Sequence, residues 1–277
     1  MIKKFFLVLG NPVSHSLSPT LHNYWFKKYN INAEYSASKL DESEIESTLL
    51  KIKKKEIMGA NITLPFKKKV IPFLDKLVND AFITKSVNTI YMDQDNKIVG
   101  DNTDVYGVQA GYLKKILDKN LSNIKILVLG AGGVSPSIIY ALKKSSIKNI
   151  YITNRTQDKS LFLQKQFKDI KVLKWDEFKN NLNEFDIIIN ATSLGLKNGT
   201  DFAEPFQNFK KTLIYIDTIY NPIETKNIKE FKLKNIRTFN GLEMFLYQGQ
   251  KSFYLWNKIN PEISDELIDL LSKKIND

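Results

Sequence analysis

The sequence predicts an α/β protein made of two α/β domains, and three observations carry that prediction. Short apolar runs of strand character alternate with amphipathic helical patterns along the chain, the signature of sheets flanked by helices. The alternation starts afresh after residue 123 with a strand that ends in a glycine-rich turn. The chain has 277 residues, which is long for a single hydrophobic core.

Each element can be justified in order. "FFLVL" is an apolar run broken by Gly10, Asn11 and Pro12, which reads as a buried strand entering a turn. Ser18 and Pro19 then mark a helix start, with Ser18 as the cap and Leu21, Tyr24, Trp25 and Tyr29 at helical spacing. "AEYSA", the helix "DESEIESTLLKIKKK", "MGANITL", "VNTIYM" and "KIVGDNTD" complete a first unit, expected to hold a largely parallel sheet. "NIKILVLGAGG", the helix "SPSIIYALKKS", "NIYITNRT", "VLKW", "FDIIINATSLG", "TLIYIDTIYNP" and "RTFNG" form a second. Two amphipathic helices close the chain, "GLEMFLYQGQKSFYLW" and "ISDELIDLLSKKI", and periodicity alone does not say where they pack.

Composition narrows the function. The apolar run at the start is shorter than a secretion signal requires and lacks a cleavage site, and no run approaches a membrane span of about 20 residues, so the expectation is a cytoplasmic protein without membrane contact. There is no cysteine, hence no disulfide and no thiolate chemistry. His15 and His22 are the only histidines, too few for a histidine-based metal site, and no metal is expected. The net charge of +11 comes mostly from lysines scattered among acidic residues, without an aromatic-interleaved basic stripe, so nucleic acid is not an expected partner.

"KILVLGAGGVSPSIIYAL" places Gly130, Ala131, Gly132 and Gly133 after a strand and before a helix. Glycines there let the backbone turn tightly and approach a pyrophosphate, whose charge meets the helix N-terminus. Ser135 stands where the third glycine of that Rossmann-type fingerprint is usual. The next strand ends in Asn154, Arg155 and Thr156 rather than in an acidic residue that would bind a ribose hydroxyl. An arginine with a hydroxyl suits a 2′-phosphate, so NADP(H) is the expected cofactor, although Asp158 follows closely.

In the first unit, "GNPVSHSLSP", "GANITLPFK", "SVNT" and "GDNTD" each end a strand-like run with hydroxyl, amide or charged groups, where open α/β sheets place ligands. Singly, each has a plain structural explanation: Ser16 and Ser18 as helix caps, Asn88 as a turn residue, Lys67 as one of a solvated lysine run, Asp104 as a helix cap.

Taken together with "VNTI", "LGAGG", "NRT", "NATSLG", "DTIYNPIET" and "GLEMFLYQ", these segments resemble the shikimate dehydrogenase family in order and spacing along nearly the whole chain. The resemblance implies reduction of 3-dehydroshikimate to shikimate with NADPH, a step toward chorismate and the aromatic amino acids. It also implies a substrate-binding domain of residues 1–103 plus 238–277, to which the last helices return, and an NADP-binding Rossmann-like domain of residues 104–237. By position, Ser16 and Ser18 would hold the substrate carboxylate. Thr63, Asn88, Asp104 and Gln248 would bind the ring hydroxyls, Tyr220 would close over the substrate, and Lys67 and Asp104 would be the catalytic pair. Thr218 and Gly241 would line the nicotinamide end of the cofactor.

The chemistry suits that pair: hydride arriving at a ketone carbon leaves charge on oxygen, and a lysine ammonium can stabilise it and deliver a proton. The sequence departs from the family pattern at Lys85 and Ser86, before Val87, and at Asn240, where an aspartate is common. A dual quinate/shikimate dehydrogenase using NAD or NADP is the alternative, against which Arg155 and Thr156 argue. A binding protein that had lost catalysis would be expected to lack Lys67 or Asp104. Either a monomer or a homodimer is compatible with the sequence.

Overall fold

A computed structural model describes residues 2–116, 123–197 and 199–276. The chain divides into two compact units, Met1–Gly107 with Leu246–Lys274, and Val108–Phe245 with Ile275–Asp277. Asp104 thus belongs to the first unit, and so does most of the long helix that begins at Leu242.

The first unit is built on a six-stranded sheet of β1 (Lys4–Gly10), β2 (Ala33–Lys39), β3 (Gly59–Ile62), β4 (Lys76–Leu77), β5 (Thr89–Met92) and β6 (Ile98–Asp101), in the order β2-β1-β3-β5-β6-β4. The expected largely parallel sheet is instead mixed, because β5 runs antiparallel to both β3 and β6. The reason is local. Only Asp93 to Lys97 separate β5 from β6, a connection closed by Asp93 N donating to Lys97 O at 3.0 Å, and so short a link can join only antiparallel neighbours.

Helices α1 (Ser18–Lys28), α2 (Ile45–Lys53) and α3 (Asn79–Thr84) accompany this sheet. The start of α1 corrects the expected cap. Leu17 occupies the cap position, Ser18 is the first helical residue, and the free Ser18 N–H donates to Ser16 Oγ at 3.2 Å. Likewise Asp104 is not the cap but the first residue of the next helix, and its N–H donates to Asn102 Oδ1 at 3.1 Å.

The last two helices, Leu242–Asn257 and Asp265–Asn276, pack on this unit through Trp25 and Tyr24. The Trp25 ring lies 5.4 Å from that of Phe253, Tyr24 OH donates to Glu266 Oε2 at 2.8 Å, and Trp25 Nε1 donates to Glu262 O at 2.9 Å in the link between the two helices. His22 is completely buried in the aromatic cluster at this junction, stacked on Tyr35 at 4.4 Å and edge-on to Trp25, and burial lowers its pKa to about 3.

The helix from Asp104 is α4 (Asp104–Val108), a π-helical turn over Gln109–Leu113, and α5 (Lys114–Ile116). The second unit continues with β7 (Lys125–Leu129), α6 (Ser135–Lys144), β8 (Asn149–Thr153), α7 (Gln157–Phe167), β9 (Lys171–Leu173), β10 (Ile187–Asn190), β11 (Ile214–Asp217), α8 (Lys226–Leu233) and β12 (Arg237–Phe239). Helices α9 (Leu242–Asn257) and α10 (Asp265–Asn276) follow.

The second sheet is parallel throughout, in the order β12-β11-β10-β7-β8-β9. Its central strands are nearly all apolar, as strands covered on both faces must be: Ile126 to Leu129 and Ile187 to Ile189 are buried. The strand order reverses between β7 and β10, which opens a crevice at their carboxyl ends. Among the described residues no helix is long and apolar enough to cross a membrane.

Candidate active site

The topology of the first sheet gathers its polar segments at one edge. Strands β1 and β3 are parallel neighbours, so Ser16 and Ser18 follow one strand while Thr63 and Lys67 follow the other. Thr63 N donates to Leu9 O at 2.9 Å and Asn11 N to Leu64 O at 3.0 Å, tying the two loops together. The antiparallel β5 brings its first end, preceded by Asn88, to this edge, and β6 returns its last end there, just before Asp104.

Lys67 Nζ donates to Asp104 Oδ2 at 2.5 Å, and the two side chains are only 13% and 8% exposed. An ion pair so far from water needs its remaining polar atoms satisfied. The second Asp104 oxygen accepts from Asn88 Nδ2 at 2.8 Å. The orientation of the Asn88 amide follows from its other contacts, since Asn88 Oδ1 accepts from Thr103 N at 2.8 Å and from Thr89 Oγ1 at 3.0 Å, which turns the NH2 toward the carboxylate. Val87 N donates to Lys67 O at 2.8 Å and fixes the lysine loop beside Asn88. Gln248 Oε1 accepts a longer bond of 3.4 Å from Asn88 Nδ2.

Beneath this group lies a layer of buried polar side chains that the sequence reading did not assign. Ser252 Oγ lies 2.8 Å from Thr89 Oγ1 and 3.0 Å from Thr103 Oγ1, and it accepts from Asn61 Nδ2 at 3.1 Å. Asn61 Oδ1 accepts from Tyr35 OH at 2.7 Å. Burial pushes the Tyr35 phenol well up in pKa, with a hydrogen bond to Ser18 pulling the other way. Asn61 and Thr103 stand inside motifs that were legible, and Ser252 is four residues after Gln248, hence on the same helix face.

Hydrogen bonds therefore join Lys67, Asn88, Asp104 and Gln248 in one cluster, with Ser16 and Ser18 paired at the start of α1. Tyr220 belongs to the second unit, where its ring packs 4.9 Å from that of Phe245 and burial raises its pKa to about 12.

In the second unit, the glycine turn sits at the reversal of strand order. Gly130 has a φ of +102°, and a Cβ there would approach Thr192 Cγ2 to 2.8 Å, so the turn is closed to other residues on both counts. At Gly132 a Cβ would meet nothing nearer than Ala191 O at 3.9 Å. The fold itself does not need a glycine there, whereas a pyrophosphate approaching the backbone before α6 would, and on this ground the turn fits a dinucleotide. Ala131 N donates to Asn154 Oδ1 at 3.0 Å and Asn154 Nδ2 to Thr156 O at 2.8 Å, which couples the turn to the end of β8. Arg155 and Thr156 are exposed at that end.

Thr218 and Gly241 lie side by side: a Cβ on Gly241 would lie 2.1 Å from Thr218 O, and Gly241 N donates to Ile219 O at 2.8 Å. Among the described residues no group of three or more His, Asp or Glu is arranged to hold a metal ion.

Comparison with known proteins bears on this arrangement. Residues 8–90 match the family described as shikimate dehydrogenase substrate binding domain, and residues 112–239 that described as shikimate / quinate 5-dehydrogenase. The chain is 52% identical to the shikimate dehydrogenase (NADP(+)) of Pelagibacter ubique over 98% of its own length and 99% of the relative's. The crystal structure of shikimate dehydrogenase from Aquifex aeolicus superposes with a TM-score of 0.86 at 32% identity, covering 100% of both chains. That of the Thermus thermophilus shikimate 5-dehydrogenase in complex with NADP(H) and shikimate gives a TM-score of 0.86 at 26% identity, covering 98% of this chain and 99% of the other. With both family matches in chain order and a relative this similar over nearly its whole length, the chain belongs to the shikimate dehydrogenase family.

Proposed function

We propose that this chain catalyses the reversible, NADPH-dependent reduction of 3-dehydroshikimate to shikimate, a step on the route to chorismate and the aromatic amino acids. The observation that carries the reading is the largely buried Lys67–Asp104 pair, fixed by Asn88 at a sheet edge lined with hydroxyl and amide groups. Bound NADPH supplies the hydride to the ketone carbon. Lys67 stabilises the charge that develops on the ketone oxygen and passes one Nζ proton to it, so that a hydroxyl forms and the neutral amine regains its proton from solvent. In the oxidative direction the same nitrogen removes the proton. Asp104 aims the ammonium and accepts from a substrate hydroxyl. Ser16 and Ser18 take the substrate carboxylate, and Thr63, Asn88 and Gln248 take the remaining hydroxyls.

Residues 1–107 and the returning helices act as the substrate domain, and the glycine turn, Asn154, Arg155 and Thr156 serve the NADP half. Arg155, with its guanidinium exposed beside Thr156, favours NADP over NAD.

The test is the growth of reduced-nicotinamide absorbance with shikimate or quinate and with NADP or NAD, in all four pairings. Strong signal with shikimate and NADP alone is the expected result. Comparable rates with quinate or NAD would move the protein to the dual-specificity class, and no signal in any pairing would refute the reading. Replacing Arg155 by alanine should raise KM for NADP by about tenfold with little change in kcat, the pattern of a lost uniform binding contact.

A further inference from the structure

The second unit holds a buried acid for which the reaction gives no role. Asp217 ends β11 and is completely buried. Its Oδ1 accepts from Asn190 Nδ2 and from Ile219 N, each at 3.1 Å. Its Oδ2 accepts from Thr225 Oγ1 at 2.9 Å and from Tyr215 OH at 3.3 Å. The direction of the two hydroxyl bonds is settled by their other partners. Thr225 Oγ1 accepts from Ile228 N at 3.4 Å and Tyr215 OH from Asn227 Nδ2 at 3.3 Å, which leaves each hydroxyl proton for the carboxylate. Four neutral donors thus converge on one carboxylate.

What this construction holds is the turn of Thr218, Ile219 and Tyr220. Thr218 N and Oγ1 both donate to Asn190 O, at 3.0 and 2.9 Å, and Asn190 is itself clamped to Asp217. Ile219 N is bound directly, and Ile219 O accepts from Gly241 N at 2.8 Å. Tyr112, from the π-helical turn, donates its one hydroxyl proton to Asn240 O at 3.0 Å and shares it with Asp217 O at 3.4 Å, bracing the adjoining strand ends. Extra-wide helical turns recur at functional sites, and this one places a buried hydroxyl between two loops.

We propose that Asp217 is a positioning residue for the reactive end of the cofactor. Strand β11 lies beside β10, so this turn stands at the same carboxyl end of the sheet as the glycine turn after β7, across the reversal of strand order where a dinucleotide extends; Asp217 sets it against Gly241 so that the nicotinamide is seated for hydride transfer, without touching substrate or reacting atoms. The proposal rests on the NADP-dependent reading of the second unit.

Asp217→Asn tests it, because an asparagine offers one acceptor oxygen and turns an NH2 against donors that need an acceptor. The variant should lose about a hundredfold in kcat through misplacement of the ring. The primary isotope effect with deuterated NADPH should rise, and the fluorescence of NADPH bound to the variant should fall below that of NADPH bound to the parent, while shikimate affinity by calorimetry stays put. A merely structural role would lower the folded fraction and leave the isotope effect and bound-NADPH emission unchanged. That result, or parental kinetics, would overturn the proposal.

Should Asp217→Asn fail to fold, Tyr215→Phe removes one donor and keeps the carboxylate. It should lower kcat by about threefold with the same isotope signature, and parental values there would equally overturn the proposal. If the parent shows no turnover with shikimate and NADP, the functional reading fails instead. Bound-NADPH emission then still decides on Asp217: loss in Asp217→Asn supports the proposal, and parental emission overturns it.

Discussion

Asp104, which opens the helix just after β6, and Asp217, which ends β11, are both buried aspartates, yet their surroundings differ in kind. Asp104 faces the ammonium of Lys67 and one amide NH2, in a spot that keeps a little exposure. Asp217 faces four neutral donors and no solvent. A carboxylate beside an ammonium at a partly open edge can serve chemistry, because the cation has a proton to give and a ligand can reach it. A carboxylate enclosed by donors that belong to loops and caps serves geometry. Burial alone therefore does not make an acid a candidate catalytic group, and the donors around it are what distinguish the two cases.

The sharpest way to break this contrast is at Lys67. Its replacement by alanine should cut kcat about a thousandfold, within the range for loss of a positioned acid, while KM for shikimate changes far less. A variant that kept turnover and only bound shikimate weakly would place Lys67 in binding. Asp104→Asn should come next, with a loss of about a hundredfold in kcat, since the neutral amide neither pairs with the ammonium nor accepts as strongly from a hydroxyl.

For Asp217 the contrast is sharpened by pH. Burial outweighs its hydrogen bonds and raises its pKa from 3.8 to about 6. The folded state therefore holds its proton more tightly than the unfolded one, so the stability this group contributes is complete below about pH 4 and declines as pH rises through about 6. Over that interval the decline is at most about 3 kcal/mol. Denaturant titrations of the parent and of Asp217→Asn should show a stability difference that drifts in that direction between pH 4 and 7, and a flat difference would contradict it. The smallest effect is expected at Ser252: its change to alanine should cost about 1–3 kcal/mol by stranding the donors it serves, read from chemical denaturation, with a several-fold fall in kcat at most.

Much of this was legible before the structure. The glycine turn after "KILVL" and the apolar "DIIIN" strand announce a parallel sheet with a nucleotide crevice, because strands buried on both faces carry unbroken apolar runs. Lys67, Asn88 and Asp104 were legible only as members of an ordered set, since each alone has a plain structural explanation.

What was not legible depends on tertiary contact. Ser252 meets Thr89 across a separation of 163 residues, and no local pattern encodes that meeting. The π-helical turn hides inside "VQAGYL", whose apolar spacing reads as ordinary helix. Its site is also where Gly111 packs against Met244, with no room for a Cβ, which would lie 2.9 Å from the Met244 backbone nitrogen. The cap of α1 fell to Leu17 because the Ser16 hydroxyl, two residues upstream of Ser18, was free to serve the first helical N–H.

The central claim is that an ammonium at position 67 gives the proton, and the absence of cysteine from the chain allows that atom to be removed and put back. In Lys67→Cys the new thiol is the only one in the protein, and alkylation with bromoethylamine rebuilds a lysine-like ammonium there alone. The account predicts that the cysteine variant oxidises shikimate with NADP at a trace of the parental rate and that aminoethylation restores a large part of it. An active cysteine variant, or an aminoethylated one no faster than its precursor, would contradict it.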